Sequence, residues 1–132
     1  MKMRIFLQQK LWRDGAVTKM EALGSKINWR YLDDTEFDKQ LRLKLLEEAE
    51  EVRVAQSHDE LMSELADVTD IIDALCVLHN ISKGDIVTLQ HKKQAERGGF
   101  EGRKFVDTAE HSEGGFGESY CLAQPNKYPE VV

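Results

Sequence analysis

The chain has 132 residues, of which 32% are charged and 41% are hydrophobic, and its formal net charge is −6 at pH 7. This length supplies one modest core and predicts a single domain. The negative charge argues against binding to polymeric nucleic acid or to an anionic membrane, because both require a basic face. No apolar run suits a membrane span or a signal peptide, and both cysteines, Cys76 and Cys121, are expected as reduced thiols, so we expect a cytoplasmic protein.

The first predicted elements are a short helix and a long one. The short helix runs from Asp14 to Leu23, where Gly24 and Ser25 end it. The long helix is predicted from Thr35 to Gln56, because apolar residues recur there at spacings of three and four. This stripe comprises Phe37, Leu41, Leu45, Val52 and Ala55. Glu48 falls on the same stripe, where an apolar residue is expected.

A second long helix is predicted from Ser57 to about His79. Ser57 and Glu60 have the spacing of a capping box, which marks a helix start. The expected apolar stripe consists of Leu61, Leu65, Val68, Ile72 and Leu75, and the adjoining face carries Glu64, Asp67, Ile71 and Leu78. Because almost nothing separates the two long helices, they are expected to fold back as antiparallel neighbours.

A further helix is predicted from Lys83 to Arg97, where Gly98 and Gly99 provide a stop. Residues 101–132 are expected to be an irregular extension of the helical domain 1–100, with a short strand near Phe105 or Tyr120. Its glycines at 114, 115 and 117 follow no strand and precede no helix signal, which favours a lid or a plain tail. The predicted class is all-α: a helical hairpin with additional helices, completed as a four-helix-type core by oligomerisation.

Two acidic pairs lie symmetrically about the turn between the long helices. Glu48 and Glu51 are three residues apart, as are Glu64 and Asp67, so each pair shares a helix surface. Acidic runs are most often solvated faces. Here, however, Glu48 continues a buried stripe, and neither Glu64 nor Asp67 has a basic residue three or four positions away. A divalent cation is the simplest neutraliser, and Mg²⁺, with Mn²⁺ as the alternative, accepts carboxylate and phosphate oxygens together.

The same stretches carry a family resemblance. The segments Lys44-Leu-Leu-Glu-Glu-Ala-Glu-Glu-Val52 and Glu64-Leu-Ala-Asp-Val68 resemble the signature of the all-α nucleoside triphosphate pyrophosphohydrolases, which include the MazG-like proteins. Residues 9–14 and 96–100 are similar to the Lys-Leu-Val-Arg-Asp and Arg-Gly-Gly-Phe stretches of one MazG-like branch. The resemblance implies Mg²⁺-dependent hydrolysis between the α and β phosphates of a nucleoside triphosphate. It also implies homodimers or homotetramers whose neighbouring subunits complete the site.

The resemblance also implies roles for particular residues. The expected metal ligands are Glu48, Glu51, Glu64 and Asp67. The catalytic candidates are Glu47 and Glu48; Glu47 is open as an outer ligand, a general base or a solvated partner of Lys44, and Asp70 is similarly open. The candidate phosphate ligands are Lys10 and Arg13, on the resemblance alone, and Lys93 and Arg97, which lie four apart on one face of the third long helix. Arg97 is preferred because the helix end can hold it.

Three functions are compatible with this pattern. The leading one is a house-cleaning nucleoside triphosphate pyrophosphohydrolase that releases a nucleoside monophosphate and pyrophosphate. The closest enzymatic alternative is phosphoribosyl-ATP pyrophosphohydrolase. The alternative of another class is a non-catalytic helical module whose acidic face binds cations or a basic partner.

Overall fold

The computed structural model describes residues 2–132, and within them the chain forms five α-helices and no strand. In chain order these are α1 (Asp14–Ala22), α2 (Asp34–Val54), α3 (His58–Leu78), α4 (Lys83–Arg97) and α5 (Phe116–Leu122). The all-α class is confirmed, and the first four helices have bounds close to the predicted ones. Across residues 2–132, none of the helices combines the length and the apolar content that crossing a membrane requires.

Side-chain caps set the starts of the two long helices. The Asp33 carboxylate accepts a hydrogen bond from the Glu36 amide at 2.8 Å. The Ser57 hydroxyl accepts one from the Glu60 amide at 3.1 Å, and the Glu60 carboxylate accepts one from the Gln56 amide at 3.0 Å. The predicted capping box is therefore present, with its return bond one residue before the cap. Such caps satisfy amides that have no partner inside the helix.

Helices α2 and α3 pack on each other as an antiparallel hairpin. The short connector between Val54 and His58 closes one end, and His79 Nε2 lies 2.6 Å from Asp38 Oδ1 at the other. The buried apolar residues are Leu41 on α2 with Ile71 and Cys76 on α3. The core of the described residues is therefore small and lies within this hairpin.

The predicted apolar stripe of α3 is wrong as a description of its buried face. Leu61, Leu65 and Ile72 are 39%, 48% and 41% exposed, whereas Ile71 is only 8% exposed. Glu64 and Asp67, on the same face as Ile71, are half-buried. Helix α3 carries apolar residues on two adjoining faces, and a single partner helix covers only one of them.

The chain divides into two compact units, Met1–Lys93 and Gln94–Val132, and α4 crosses the boundary between them. In the second unit Gly98 has φ +75°, a conformation that suits glycine, and its amide donates to the Gln94 carbonyl at 2.8 Å. This confirms the predicted helix stop. The assignment of residues 101–132 as an extension of the same domain stays a prediction.

The glycine-rich tail is mostly irregular, as predicted, but the predicted short strand is wrong, because the tail contains the helix α5 and no strand. Gly115 is the N-cap of α5, and the Glu118 carboxylate accepts a hydrogen bond from the Gly114 amide at 3.1 Å. Tyr120, the expected strand residue, lies in α5, with its ring 6.0 Å from that of Phe116 and 5.6 Å from that of Tyr128. The helix start therefore lacks the Ser, Thr or Asp cap by which such starts are usually recognised, and it has instead the Gly114–Glu118 hydrogen bond and aromatic packing.

Candidate metal centre

Three carboxylates from the two long helices meet across the hairpin. One oxygen each of Glu48, Glu64 and Asp67 lies within 4.8 Å of the other two. Glu48 is buried, with 8% exposure, and the other two residues are half-buried. One turn of α3 separates Glu64 from Asp67, so both present their carboxylates to the same side of α2. We call these three residues the acid cluster.

The surroundings of Glu64 in the acid cluster disfavour its charged form. Desolvation by burial raises its pKa above the ordinary value, and a hydrogen bond with Glu48 and the charges of Asp67, Glu48 and Glu51 raise it further. A raised pKa means that added positive charge, as a proton or a cation, is favoured there. Glu51 itself is exposed and lies outside the acid cluster. The structure therefore brings together three of the four predicted metal ligands and leaves Glu51 at the edge.

Asp67 has a basic partner that helical spacing did not reveal. Nη2 of Arg13 lies 2.6 Å from Asp67 Oδ1, and Nη1 lies 2.6 Å from Asp70 Oδ2. Both carboxylates raise the pKa of Arg13, with Asp70 contributing most. The expectation that Asp67 lacks a cation is therefore wrong. Its partner comes from before α1, far away in the sequence, where a search along α3 cannot find it.

Two lysines meet the carboxylate of Glu47. Lys10 Nζ lies 3.3 Å and Lys44 Nζ 3.5 Å from Glu47 Oε1, and Lys44 Nζ also lies 3.7 Å from Glu48 Oε1. The interpretation of Glu47 as a partner of Lys44 thus has a direct contact behind it. Its roles as outer ligand or general base stay predictions. Through Lys44, these residues are continuous with the acid cluster.

The basic residues of α4 are placed differently. Lys93 and Arg97 are both exposed, and Arg97 belongs to the second unit. Their assignment to phosphate binding stays a prediction. The cations in contact with acidic residues at this site are Lys10, Arg13 and Lys44. The acidic residues that surround them are more numerous, namely Glu47, Glu48, Glu51, Glu64, Asp67 and Asp70. The site therefore retains excess negative charge.

Two surface depressions flank the hairpin. One has a volume of about 160 Å³ and is lined by Gln9, Lys10, Leu11, Gln40, Leu43, Lys44 and Glu47. The other, of about 600 Å³, lies at the end of α3 and is lined by Asp73, Cys76, Val77, Asn80, Ile81, Ser82 and Lys83. Ligand pockets usually measure roughly 300–1,000 Å³. The depression beside Glu47 is smaller than that, and the larger depression contains no residue of the acid cluster.

Comparisons of this chain with protein-family models, with curated proteins and with solved structures gave no match. The resemblance to the all-α pyrophosphohydrolases therefore depends on the motifs of α2, α3 and their flanking stretches. Membership of that family stays a prediction.

Proposed function

We propose that the protein is a Mg²⁺-dependent nucleoside triphosphate pyrophosphohydrolase that cleaves between the α and β phosphates and releases a nucleoside monophosphate and pyrophosphate. The supporting observation is the buried Glu48 facing Glu64 and Asp67, with one oxygen of each within 4.8 Å. On a purely solvated acidic face these carboxylates would be expected to lie apart, because like charges so close repel one another. The motifs that supply these residues also carry the family resemblance.

The donor set of the acid cluster suits Mg²⁺ or Mn²⁺. Carboxylate oxygens are preferred ligands of Mg²⁺, and two oxygens on opposite sides of the ion lie about 4.2 Å apart. Adjacent ligand oxygens lie about 3.0 Å apart, so side-chain rotations that draw the three oxygens together would complete direct ligation from the observed separations of within 4.8 Å. Desolvation and neighbouring carboxylates raise the pKa of Glu64, which also fits a site that favours a cation. Glu51, one turn from Glu48, can supply a fourth carboxylate.

The residues around the ion divide into metal ligands and phosphate ligands. Glu48, Glu51, Glu64 and Asp67 would hold the metal, which when bound neutralises phosphate charge and makes a water molecule more acidic. Lys10 and Lys44 lie at the edge of the acid cluster, where their ammonium groups can donate to phosphate oxygens. Glu47 orients both lysines and is the candidate to accept a proton from the attacking water.

We extend the proposal to a homodimer or a homotetramer. Leu61, Leu65 and Ile72 form an exposed apolar stripe at helical spacing on α3, a pattern typical of a helix–helix interface. The depression beside Lys10 and Lys44 is too small to enclose a nucleotide. A neighbouring subunit would supply the missing wall and cover the stripe.

Pyrophosphate release from a panel of nucleoside triphosphates, with phosphoribosyl-ATP included, tests the activity. Glu48→Gln keeps the side chain's size but removes its charge. We expect turnover to fall by about 100-fold or more, because even the outer partners of metal ligands are worth roughly 10–100-fold. Glu50→Gln is the matched control, since Glu50 lies on the same helix but is exposed and pairs with Arg53.

Full activity in Glu48→Gln would overturn the assigned role of the acid cluster. Release of orthophosphate in place of pyrophosphate would mean that a different bond is cut. If the wild-type protein hydrolyses no member of the panel, the non-catalytic acidic module becomes the better description.

A further inference from the structure

We infer that Arg13 is a positioning residue for Asp67, and that Asp70 anchors Arg13 in that role. This inference rests on the proposed function, because it assigns Arg13 a task at the metal centre. One guanidinium group spans two carboxylates on successive turns of α3, with both N···O distances at 2.6 Å. The planar fork of arginine fixes the direction of both bonds, which a lysine ammonium group does not do.

The bond to Arg13 is compatible with a place for Asp67 in the acid cluster. Asp67 Oδ1 accepts a hydrogen bond from the guanidinium of Arg13. One carboxylate oxygen of Asp67 also lies within 4.8 Å of a carboxylate oxygen of Glu48 and one of Glu64. Repulsion from those two carboxylates would otherwise favour rotation of Asp67 toward solvent. Of the acid cluster, Arg13 contacts Asp67. Its positive charge therefore counteracts the repulsion on that carboxylate. Hydrogen bonds to ligating carboxylates have this orienting effect in metal sites generally.

Asp70 fits the part of an anchor better than that of a ligand. It lies outside the acid cluster, its side chain is 57% exposed, and it contacts the second arm of Arg13. Arg13 is also held by its own backbone, because it is the N-cap of α1 and its carbonyl accepts from the Ala16 amide at 3.0 Å. The backbone of Arg13 is thus held at the start of α1, and both arms of its guanidinium contact α3. Sequence analysis left Asp70 open as an outer ligand, a general base or a solvated side chain, and in the structure it contacts Arg13 and lies outside the acid cluster.

Charge alone makes the opposite prediction about Arg13. Removing a cation from beside the acid cluster would strengthen the binding of a divalent ion by Coulomb's law. Removing a positioning residue would weaken it, because Asp67 would lose its orientation. The sign of the change in Arg13→Gln therefore separates the two explanations.

The experiment measures Mn²⁺ affinity of the full chain, by the electron paramagnetic resonance signal of free Mn²⁺ and by calorimetry, at about 0.15 M salt to limit long-range charge effects. The variants are Arg13→Gln, Asp70→Asn and the double variant. We expect Arg13→Gln to bind Mn²⁺ about 10-fold more weakly, as for other outer partners of metal ligands. Asp70→Asn should weaken binding in the wild-type background but not in the Arg13→Gln background. Arg53→Gln, which removes an exposed arginine paired with Glu50, is the control and should leave affinity unchanged.

Unchanged or tighter Mn²⁺ binding in Arg13→Gln would overturn the inference and leave the proposed function standing. Equal losses from Asp70→Asn in both backgrounds would show that Asp70 acts directly on the ion, against the anchor role. No Mn²⁺ uptake by the wild-type protein would overturn the proposed function itself. Arg13→Lys keeps the positive charge without the planar fork and should show a partial loss of Mn²⁺ affinity. If circular dichroism shows that Arg13→Gln is unfolded, the affinity of Arg13→Lys is the measurement that tests the inference.

Discussion

The two faces of α3 lie in environments opposite to those that their residues prefer. Glu64 and Asp67 face α2 and are half-buried, whereas Leu65 and Ile72 are 48% and 41% exposed. Burying a charge without a partner costs several kcal/mol, and fully burying a leucine or isoleucine contributes about 1.5–3 kcal/mol. The arrangement is favourable if cations occupy the acidic face and another copy of the chain covers the apolar one. Function and assembly, more than the core of one chain, would then explain the orientation of α3.

The largest effect is expected from a charge placed on the apolar face. Leu65→Arg should weaken self-association by about 2 kcal/mol or more, roughly 30-fold in dissociation constant, because it buries an unpaired cation at an interface centre. Light scattering across a concentration series measures this. Val77→Arg is the control, since Val77 is 79% exposed on α3 but lies off the stripe. A wild-type protein that is monomeric throughout the series would contradict the proposed assembly.

A smaller effect is expected on the acidic face. In the absence of divalent ions, Glu64→Gln should increase the free energy of unfolding, because it removes a charge that desolvation and neighbouring carboxylates disfavour. The folded-state pKa of Glu64 is raised, so the native state binds this proton more tightly than the unfolded chain. That stabilisation is present below the ordinary value of 4.5 and is lost as the pH rises through the folded-state pKa.

The stability difference between Glu64→Gln and the wild type should therefore be small below pH 4.5 and should widen above it. Chemical denaturation with a chelator present, at several pH values, measures the difference. Glu110→Gln, an exposed residue of the second unit, is the control for loss of one negative charge. A stability difference that narrows as the pH rises would contradict the proposed destabilisation by the charge of Glu64.

The smallest effect is expected at the end of the hairpin, where His79 contacts Asp38 and thereby links the end of α3 to α2. Hydrogen bonds from His79 and then Arg42 hold the pKa of Asp38 below its ordinary value. This stabilisation is present above pH 3.8 and is lost as the pH falls through the folded-state pKa. Asp38→Asn should thus lower the melting temperature slightly at neutral pH, and the difference should vanish in acid.

Asp59→Asn is the control for Asp38→Asn, because the Asp59 side chain is 92% exposed. The effect is small because ion pairs near the surface contribute little. Equal melting temperatures of Asp38→Asn and wild type at neutral pH would mean that the His79 contact does not hold the hairpin in register.

Sequence analysis succeeded where local patterns were sufficient. The stripe of Leu41 and Glu48 identified the buried face of α2, and the Ser57 cap located the start of α3. It failed for α3, where two apolar faces compete for one neighbour, and for α5, whose Gly115 cap lacks a side chain. It also missed the link from Arg13 to Asp67, because sequence periodicity carries no information about contacts between distant segments.

The sequence by itself determined helices α1 to α4, because caps, stop glycines and periodicity act over a few residues. It also determined that acidic pairs lie on two helices that fold back on each other. Only the tertiary structure decided which of those acids converge, since the rotation of α3 against α2 buries Glu48 and turns Glu64 and Asp67 toward it while Glu51 stays exposed. It also decided that Arg13 reaches Asp67, because that distance depends on how the segment before α1 is placed against α3.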